Sequence, residues 1–184
     1  MLTGLDVATV YTIQFSTLCD NDTLDFTNTF SFQTACGAIG ESFEGFEPYT
    51  NTMPICWNNI VEATSTFASV QTINSSFNAY EGSKSLRLYN SSSSDMTVTN
   101  LVAITPELDS IADFWMTFYA KVTTTLTGNS LQVGYITDEA DGSTFEMLQE
   151  YDMTNAYVKH TFTPSDYPAF TGSKIAMRAE FNGT

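Results

Sequence analysis

The chain has 184 residues, of which 42% are hydrophobic and 14% aromatic, enough apolar material for a packed core and too much for a disordered chain. Six Lys plus Arg stand against 21 Asp plus Glu, a net charge of −15. A surface this acidic repels phosphate backbones and anionic headgroups, which argues against nucleic acid and anionic membranes as partners.

No apolar run reaches the roughly 18 residues of a membrane span, so membrane insertion is not expected. Met1 to Val10 lacks the basic start and apolar stretch of a signal peptide. The excess of carboxylates reads first as solubility; the sharper reading is that some of them hold a divalent cation such as calcium.

The first element is an alternating run over Thr9 to Thr17, with Tyr11, Ile13, Phe15 and Thr17 on the buried face and Val10, Thr12, Gln14 and Ser16 opposite. A polar turn at Asp20 to Asp25 leads to a second alternating run through Phe26, Asn28, Phe30, Phe32 and Thr34. Together they form a hairpin. A hairpin is not stable alone in water, so residues 1–36 are expected to be the C-terminal part of a domain that begins earlier.

The hairpin also bears on Cys19, Cys36 and Cys56. Cys19 lies near the turn and Cys36 at the far end, roughly 25 Å apart at about 3.3 Å per residue. A disulfide needs Cα atoms within about 7 Å, so Cys19 with Cys36 is disfavoured and Cys36 with Cys56 stays open. Cys19 then pairs upstream or stays reduced; the alternative is three free, buried thiols. No CxxC spacing points to zinc.

After a short connector at residues 37–40, strand signals recur to the end. The candidates are Glu41 to Phe46, Asn59 to Ala63, Ser85 to Tyr89, Val98 to Ile104, Ala112 to Lys121, Leu131 to Thr137, Phe145 to Tyr151, Tyr157 to Phe162 and Lys174 to Phe181. Breakers separate them at Asn51, Gly82, Ser91 to Ser94, Gly128, Asp141 with Gly142, and Thr171 with Gly172. Many short strands, regular turn signals and no helical period predict an all-β chain of the β-sandwich type over residues 37–184.

Two resemblances refine this reading. Leu2-Thr3-Gly4-Leu5 followed by Val10-Tyr11-Thr12 resembles the last third of a fibronectin type III domain, with Tyr11 at the tyrosine corner. Phe30 to Cys36 is similar to the final strand of bacterial copies. Val7 and Ala8 stand where that family often has a Pro and a small residue.

The remainder resembles the MAM-like, cleaved-adhesin-type jelly-roll modules of bacterial surface proteins. The likeness is carried by Glu41-Ser42-Phe43-Glu44-Gly45-Phe46, Met53-Pro54-Ile55-Cys56-Trp57 and Tyr80 to Leu88. Asp113-Phe114-Trp115-Met116, Leu131 to Asp138 with Thr144-Phe145, and Lys174 to Ala179 continue it in the same order. The resemblance implies a secreted or cell-surface location, neighbouring domains in one chain, and a further strand after Thr184. It also implies a structural calcium ion held by Glu44, by the Gly82 to Lys84 segment including Ser83, and by a last-strand Asp that this sequence lacks. Calcium wants about six to eight oxygens, so such a set is incomplete.

Few residues suggest chemistry. His160 is the only histidine, shares a strand face with Val158 and Phe162, and has no nucleophile in a triad order, so it reads as structural. Asp138, Glu139, Asp141 and Gly142 form an acidic turn whose spacing does not match an EF-hand, with Ala140 and Gln149 at ligand positions, so it reads as a solvated turn. Trp57 and Trp115 are either sugar-stacking platforms or packing residues, and Tyr49, Tyr80, Tyr119 and Tyr135 are equally two-sided. Phosphate-loop, zinc-hydrolase and nucleophile-elbow motifs do not occur.

The expected function is a non-catalytic binding or adhesion module for a glycan or a surface protein. The alternative is a structural spacer beside a catalytic or adhesive domain. An enzyme would need a cleft with convergent carboxylates of perturbed pKa. The first reading predicts an exposed aromatic or polar patch, and the spacer predicts none.

Overall fold

A computed structural model describes residues 3–16, 18, 19, 22, 23, 28–90, 98–110, 113–123, 129–168, 170 and 172–180. The expected strand ends at Thr17, Phe26, Ala112 and Phe181, the Ser91 to Ser94 loop, and the breakers Gly128 and Thr171 lie outside the described residues. The chain forms two compact units, Met1–Gly37 and Ala38–Thr184.

The first unit contains β1 (Val10–Ile13), β2 (Leu18–Cys19), β3 (Asp22–Thr23) and β4 (Phe30–Gln33). β1 pairs antiparallel with β4, setting Val10 opposite Gln33 and Tyr11 opposite Phe32. The Tyr11 and Phe32 rings stack at 5.8 Å on one face, as the alternation of the two runs requires. The Tyr11 hydroxyl accepts the Asp6 N–H at 2.8 Å, which ties the entering segment to the strand. Phe15 departs from its expected burial: it is 58% exposed and touches Phe30 edge-on. Pairing of β1 ends at Ile13, so Phe15 lies beyond the paired residues of the strand.

The second unit contains β5 (Asn58–Ala63), β6 (Ser69–Asn74), β7 (Lys84–Tyr89), β8 (Val98–Ile104), β9 (Met116–Ala120), β10 (Ser130–Ile136), β11 (Phe145–Asp152), β12 (Val158–Phe162) and β13 (Ala176–Glu180). Five strands form an antiparallel sheet in the order β11-β10-β13-β8-β5. β6 pairs with β7, and β9 with β12, as two-stranded ribbons. One face of the large sheet supplies Leu101, Ala103, Val133 and Met177 to the main core, where Val70 of β6 and Phe162 of β12 meet them. Leu86, Leu88, Met116 and Phe118 pack onto that core from the ribbons. Sheet against ribbons with alternating inward residues is the layered arrangement of a β-sandwich, and the chain is all-β.

The opposite face of the large sheet is covered as well. Ile60, Val102, Ile104, Ala176 and Phe145 form a second apolar cluster there. Beside it runs a polar ladder with one side chain from each strand: Glu62, Asn100, Arg178, Gln132 and Glu150. Asn100 donates to Glu62 at 2.7 Å, and Arg178 donates to Asn100 at 3.2 Å and to Gln132 at 2.9 and 2.7 Å. Gln132 then donates to Glu150 at 3.3 Å. The Arg178 guanidinium also stacks on Phe145, 4.4 Å from the ring centroid.

Two strand expectations change. Glu41 to Phe46 is not a strand: Phe43 is 88% exposed and Phe46 adopts a left-handed φ of 63°. The Glu44 carboxylate accepts the Phe46 N–H at 2.6 Å, a local bond that competes with a sheet ladder. Conversely, Ser69–Asn74 is a strand that the breaker pattern left unmarked, with Val70 and Thr72 fully buried on its inner side.

Candidate binding face

β9 and β12 share an antiparallel register in which Phe118 faces His160, Tyr119 faces Lys159, and Thr117 faces Thr161. Phe114, Met116 and Phe118 pack onto the main core, so the intervening Trp115, Thr117 and Tyr119 point away from it. On β12 the same parity turns Lys159 and Thr161 outward and Phe162 inward. The Thr117 and Thr161 hydroxyl oxygens lie 3.4 Å apart at the centre of this outer face.

The loop between β6 and β7 extends the face. Its ends are tied by the Ser75 N–H donating to Ser83 O at 2.9 Å. Tyr80 stacks almost parallel on Tyr119, with centroids 3.7 Å apart, and meets Tyr157 edge-on at 5.4 Å. The Tyr157 hydroxyl donates to Asn78 O, and Lys121 Nζ donates to Phe77 O at 2.9 Å while lying 4.8 Å above the Tyr157 ring. Burial pushes the Tyr157 phenol above its ordinary value. The bond to Tyr119, with burial, does the same for Tyr80. Both rings therefore stay neutral at physiological pH. Phe77 is 91% exposed, Trp115 65%, Tyr80 53% and Tyr119 40%.

A clamp behind this loop fixes its geometry. Glu47 accepts the Ser83 N–H at 2.7 Å, the Ser83 hydroxyl at 2.9 Å and the Lys84 N–H at 3.1 Å. These bonds, the Ser83 N–H first, hold the Glu47 carboxyl below its usual range. Gly82 is required here, since its φ is 68° and a Cβ would fall 2.1 Å from Glu47 Oε1.

The residues singled out in the sequence are distributed as follows. Ser83 is engaged by Glu47, whereas Glu44 bonds within its own loop, where burial raises its pKa against the lowering effect of the Phe46 N–H. Among the described residues no three His, Cys, Asp or Glu side chains group as a metal site. Cys36 and Cys56 are both disulfide-bonded. His160 is packed between Phe118 and Tyr151, and burial lowers its pKa. Trp57 packs onto the main core and edge-on to Phe46, and Tyr135 contacts Phe170 within it. Trp115 is the tryptophan that faces solvent.

The acidic turn is only partly a solvated one. Asp138 and Asp141 are exposed, but Gly142 is buried against Asn100 and its N–H donates to Glu62 at 2.9 Å. Glu139 forms an ion pair with Lys174 and accepts from Asn58 at 3.1 Å. A cleft of about 370 Å³ beside it is lined by Tyr135, Ile136, Thr137 and that ion pair. Its single cation and anion neutralise each other. Lys121, Lys159, Tyr157 and Phe77 were not singled out from sequence; the available signal was a lysine at the end of one aromatic strand and another within a second, in a chain with only six Lys and Arg.

Fold and face together define an antiparallel all-β protein of the β-sandwich class with an aromatic outer surface on its β9–β12 ribbon. No protein-family model, curated protein or solved structure matches the chain.

Proposed function

We propose that this chain is a non-catalytic binding or adhesion module of a secreted or cell-surface multidomain protein, with a glycan or a surface protein as its partner. The observation that supports this is the outer face of β9 and β12, where Trp115, Tyr119, Tyr80 and Phe77 stand exposed together. Exposed aromatics cost solubility, and a cluster of them rimmed by polar groups is characteristic of recognition surfaces. The disulfide-bonded Cys36 and Cys56 suit an oxidising compartment. Fibronectin-like and jelly-roll-like neighbours in one chain would suit the same setting.

Beads coated with the protein and washed over mucin, matrix-protein and albumin surfaces test the proposal. Retention above albumin on at least one surface is expected; retention equal to albumin on all of them would favour the spacer. Calcium is not carried into this reading, because Glu44 bonds within its own loop while the Ser83 hydroxyl is engaged by Glu47, so the two are not brought to one site. Thermal melts in calcium and in EDTA are expected to coincide, and a higher melting temperature in calcium would restore the ion.

A further inference from the structure

We infer that the outer face of β9 and β12 binds an acidic oligosaccharide, with Trp115 and the stacked Tyr119–Tyr80 pair as platforms for sugar rings and Lys159 and Lys121 receiving the acidic group. The inference rests on the binding-module reading and assigns it a site and a ligand class.

The platforms come first. Trp115 and Tyr119 lie four residues apart on one strand face, roughly 13 Å at about 3.3 Å per residue. That span accommodates more than one sugar ring. The Tyr80–Tyr119 stack is organised before any ligand arrives: its rings are 10° from parallel, and neighbouring bonds hold the loop through Asn78 and Phe77. Rigid aromatic surface loses little conformational entropy on binding. Between the platforms the Thr117 and Thr161 hydroxyls offer donors and acceptors to sugar hydroxyls. This face presents rings and hydroxyls, which suit the C–H faces and hydroxyls of a sugar.

Charge selects among sugars. The chain carries −15, yet two of its six basic residues border this one face. The other four are engaged elsewhere: Lys174 with Glu139, Arg178 in the ladder, Arg87 over the Tyr89 ring, and Lys84 beside Glu47. Lys159 sits directly across from Tyr119 and makes no ion pair among the described residues. Lys121 is held by a carbonyl and a ring and makes no ion pair among the described residues. Glu81 lies beside Tyr80, so the acidic group points toward the lysines and away from that end. An acidic group placed there gains an attraction that the rest of the surface denies it.

The test titrates the whole chain with 3′-sialyllactose (a carboxylate), a chondroitin sulfate tetrasaccharide (sulfate and carboxylate) and lactose, following tryptophan fluorescence and calorimetric heat. At least one acidic probe is expected to bind with a Kd below about 1 mM, and lactose about tenfold more weakly or not at all. Which acidic probe wins separates carboxylate from sulfate recognition. Trp115→Ala and Tyr119→Ala should each weaken binding about tenfold, and Trp115→Phe much less. Lys159→Gln should reduce both the preference over lactose and the weakening by added salt.

Three results would overturn the inference: lactose binding as tightly as the acidic probes, unchanged affinity in both alanine variants, or no saccharide binding by a protein with a native near-UV spectrum. If the coated beads still adhere in any of these cases, the binding-module reading survives and only this site and ligand class fall.

Discussion

On the five-stranded sheet charged and amide side chains face one another; on the β9–β12 ribbon aromatic, hydroxyl and Lys side chains face outward. Glu62, Asn100, Arg178, Gln132 and Glu150 satisfy each other across five neighbouring strands, and Phe145 and the 138–144 loop close over part of that surface. Trp115, Tyr119 and Lys159 on the ribbon, with Tyr80 stacked on Tyr119 from the 75–83 loop, leave ring faces and an ammonium group toward solvent. The two surfaces therefore serve two ends. A polar network that is internally complete stabilises and positions; one whose groups look outward is available to a partner. Substitutions on the first surface should change stability, and those on the second should change binding alone.

The sharpest break is Gly134→Ala. Gly134 sits at the irregularity between β10 and β11, where Val133 pairs with Gln149 and Gly134 with Met147. A Cβ there would lie 1.9 Å from the Glu146 carbonyl oxygen, a backbone atom that cannot rotate away. The expected loss is about 3 kcal/mol, and failure to fold is an equivalent outcome. Urea unfolding measures it. Stability within about 0.5 kcal/mol of the parent would mean that the two strands do not approach as described.

Arg178→Met comes next. Its guanidinium supplies three of the ladder's hydrogen bonds, two of them to the buried Gln132. Methionine keeps much of the apolar length over Phe145 but leaves the Gln132 and Asn100 oxygens without those donors. Unsatisfied buried acceptors cost about 1–3 kcal/mol, so a loss near 2 kcal/mol is expected by chemical denaturation. Trp115→Ala measured alongside should stay within about 0.5 kcal/mol of the parent. Equal losses in the two variants would erase the contrast between the surfaces.

Much of this architecture was legible in the chain, and the illegible parts share a cause. Val98–Ile104 and Ser130–Ile136 could be read to within a residue, because apolar residues recur in each and turn signals separate them from their neighbours. Ser69–Asn74 was not, since its Ser, Gln, Thr and Asn dilute the apolar signal and only the fold shows Thr72 to be fully buried. Phe46 defeats the strand reading of its segment through a backbone angle that no side-chain pattern announces. The Glu47 clamp and the five-residue ladder join residues that are distant along the chain, and they require the register. For the binding face, alternation assigns Trp115 and Phe114 to opposite sides of a strand. It does not say which side meets the core until β12 and the 75–82 loop are in place.

Glu44 and Glu47 provide a smaller effect with opposite signs. Glu47 is held below its ordinary value of 4.5 by bonds to its ionised form, so its contribution to stability is fully present above about pH 4.5 and is lost as pH falls through the lowered folded value. Glu44 is raised above 4.5 by burial, so its ionisation opposes folding as pH rises from about 4.5 through the raised value. At pH 7, Glu47→Gln should lower the melting temperature and Glu44→Gln should raise it. Both differences should shrink in acid, where the parent carboxyls are protonated in the folded and unfolded chain alike. A lower melting temperature for Glu44→Gln at pH 7 would show that its charge has a favourable partner, and calcium would return as the candidate.

The smallest expected change concerns the inner face of β6. Thr72 is completely buried, and its hydroxyl has no hydrogen-bond partner among the described residues, although its N–H donates to Thr52 O at 2.9 Å. A buried hydroxyl without a partner opposes folding, and valine has nearly the same shape without that group. Thr72→Val should therefore stabilise the protein by up to about 1 kcal/mol, raising the midpoint of urea unfolding without changing its slope. The neighbouring side chains of this ribbon face the main core, so the substitution leaves the outer face of β9 and β12 untouched and saccharide affinity should stay constant. A destabilised variant would mean that the hydroxyl does find a partner, such as a buried water. The inner side of the ribbon would then be a polar site of its own, and the division between an apolar interior and a recognising exterior would no longer hold at β6.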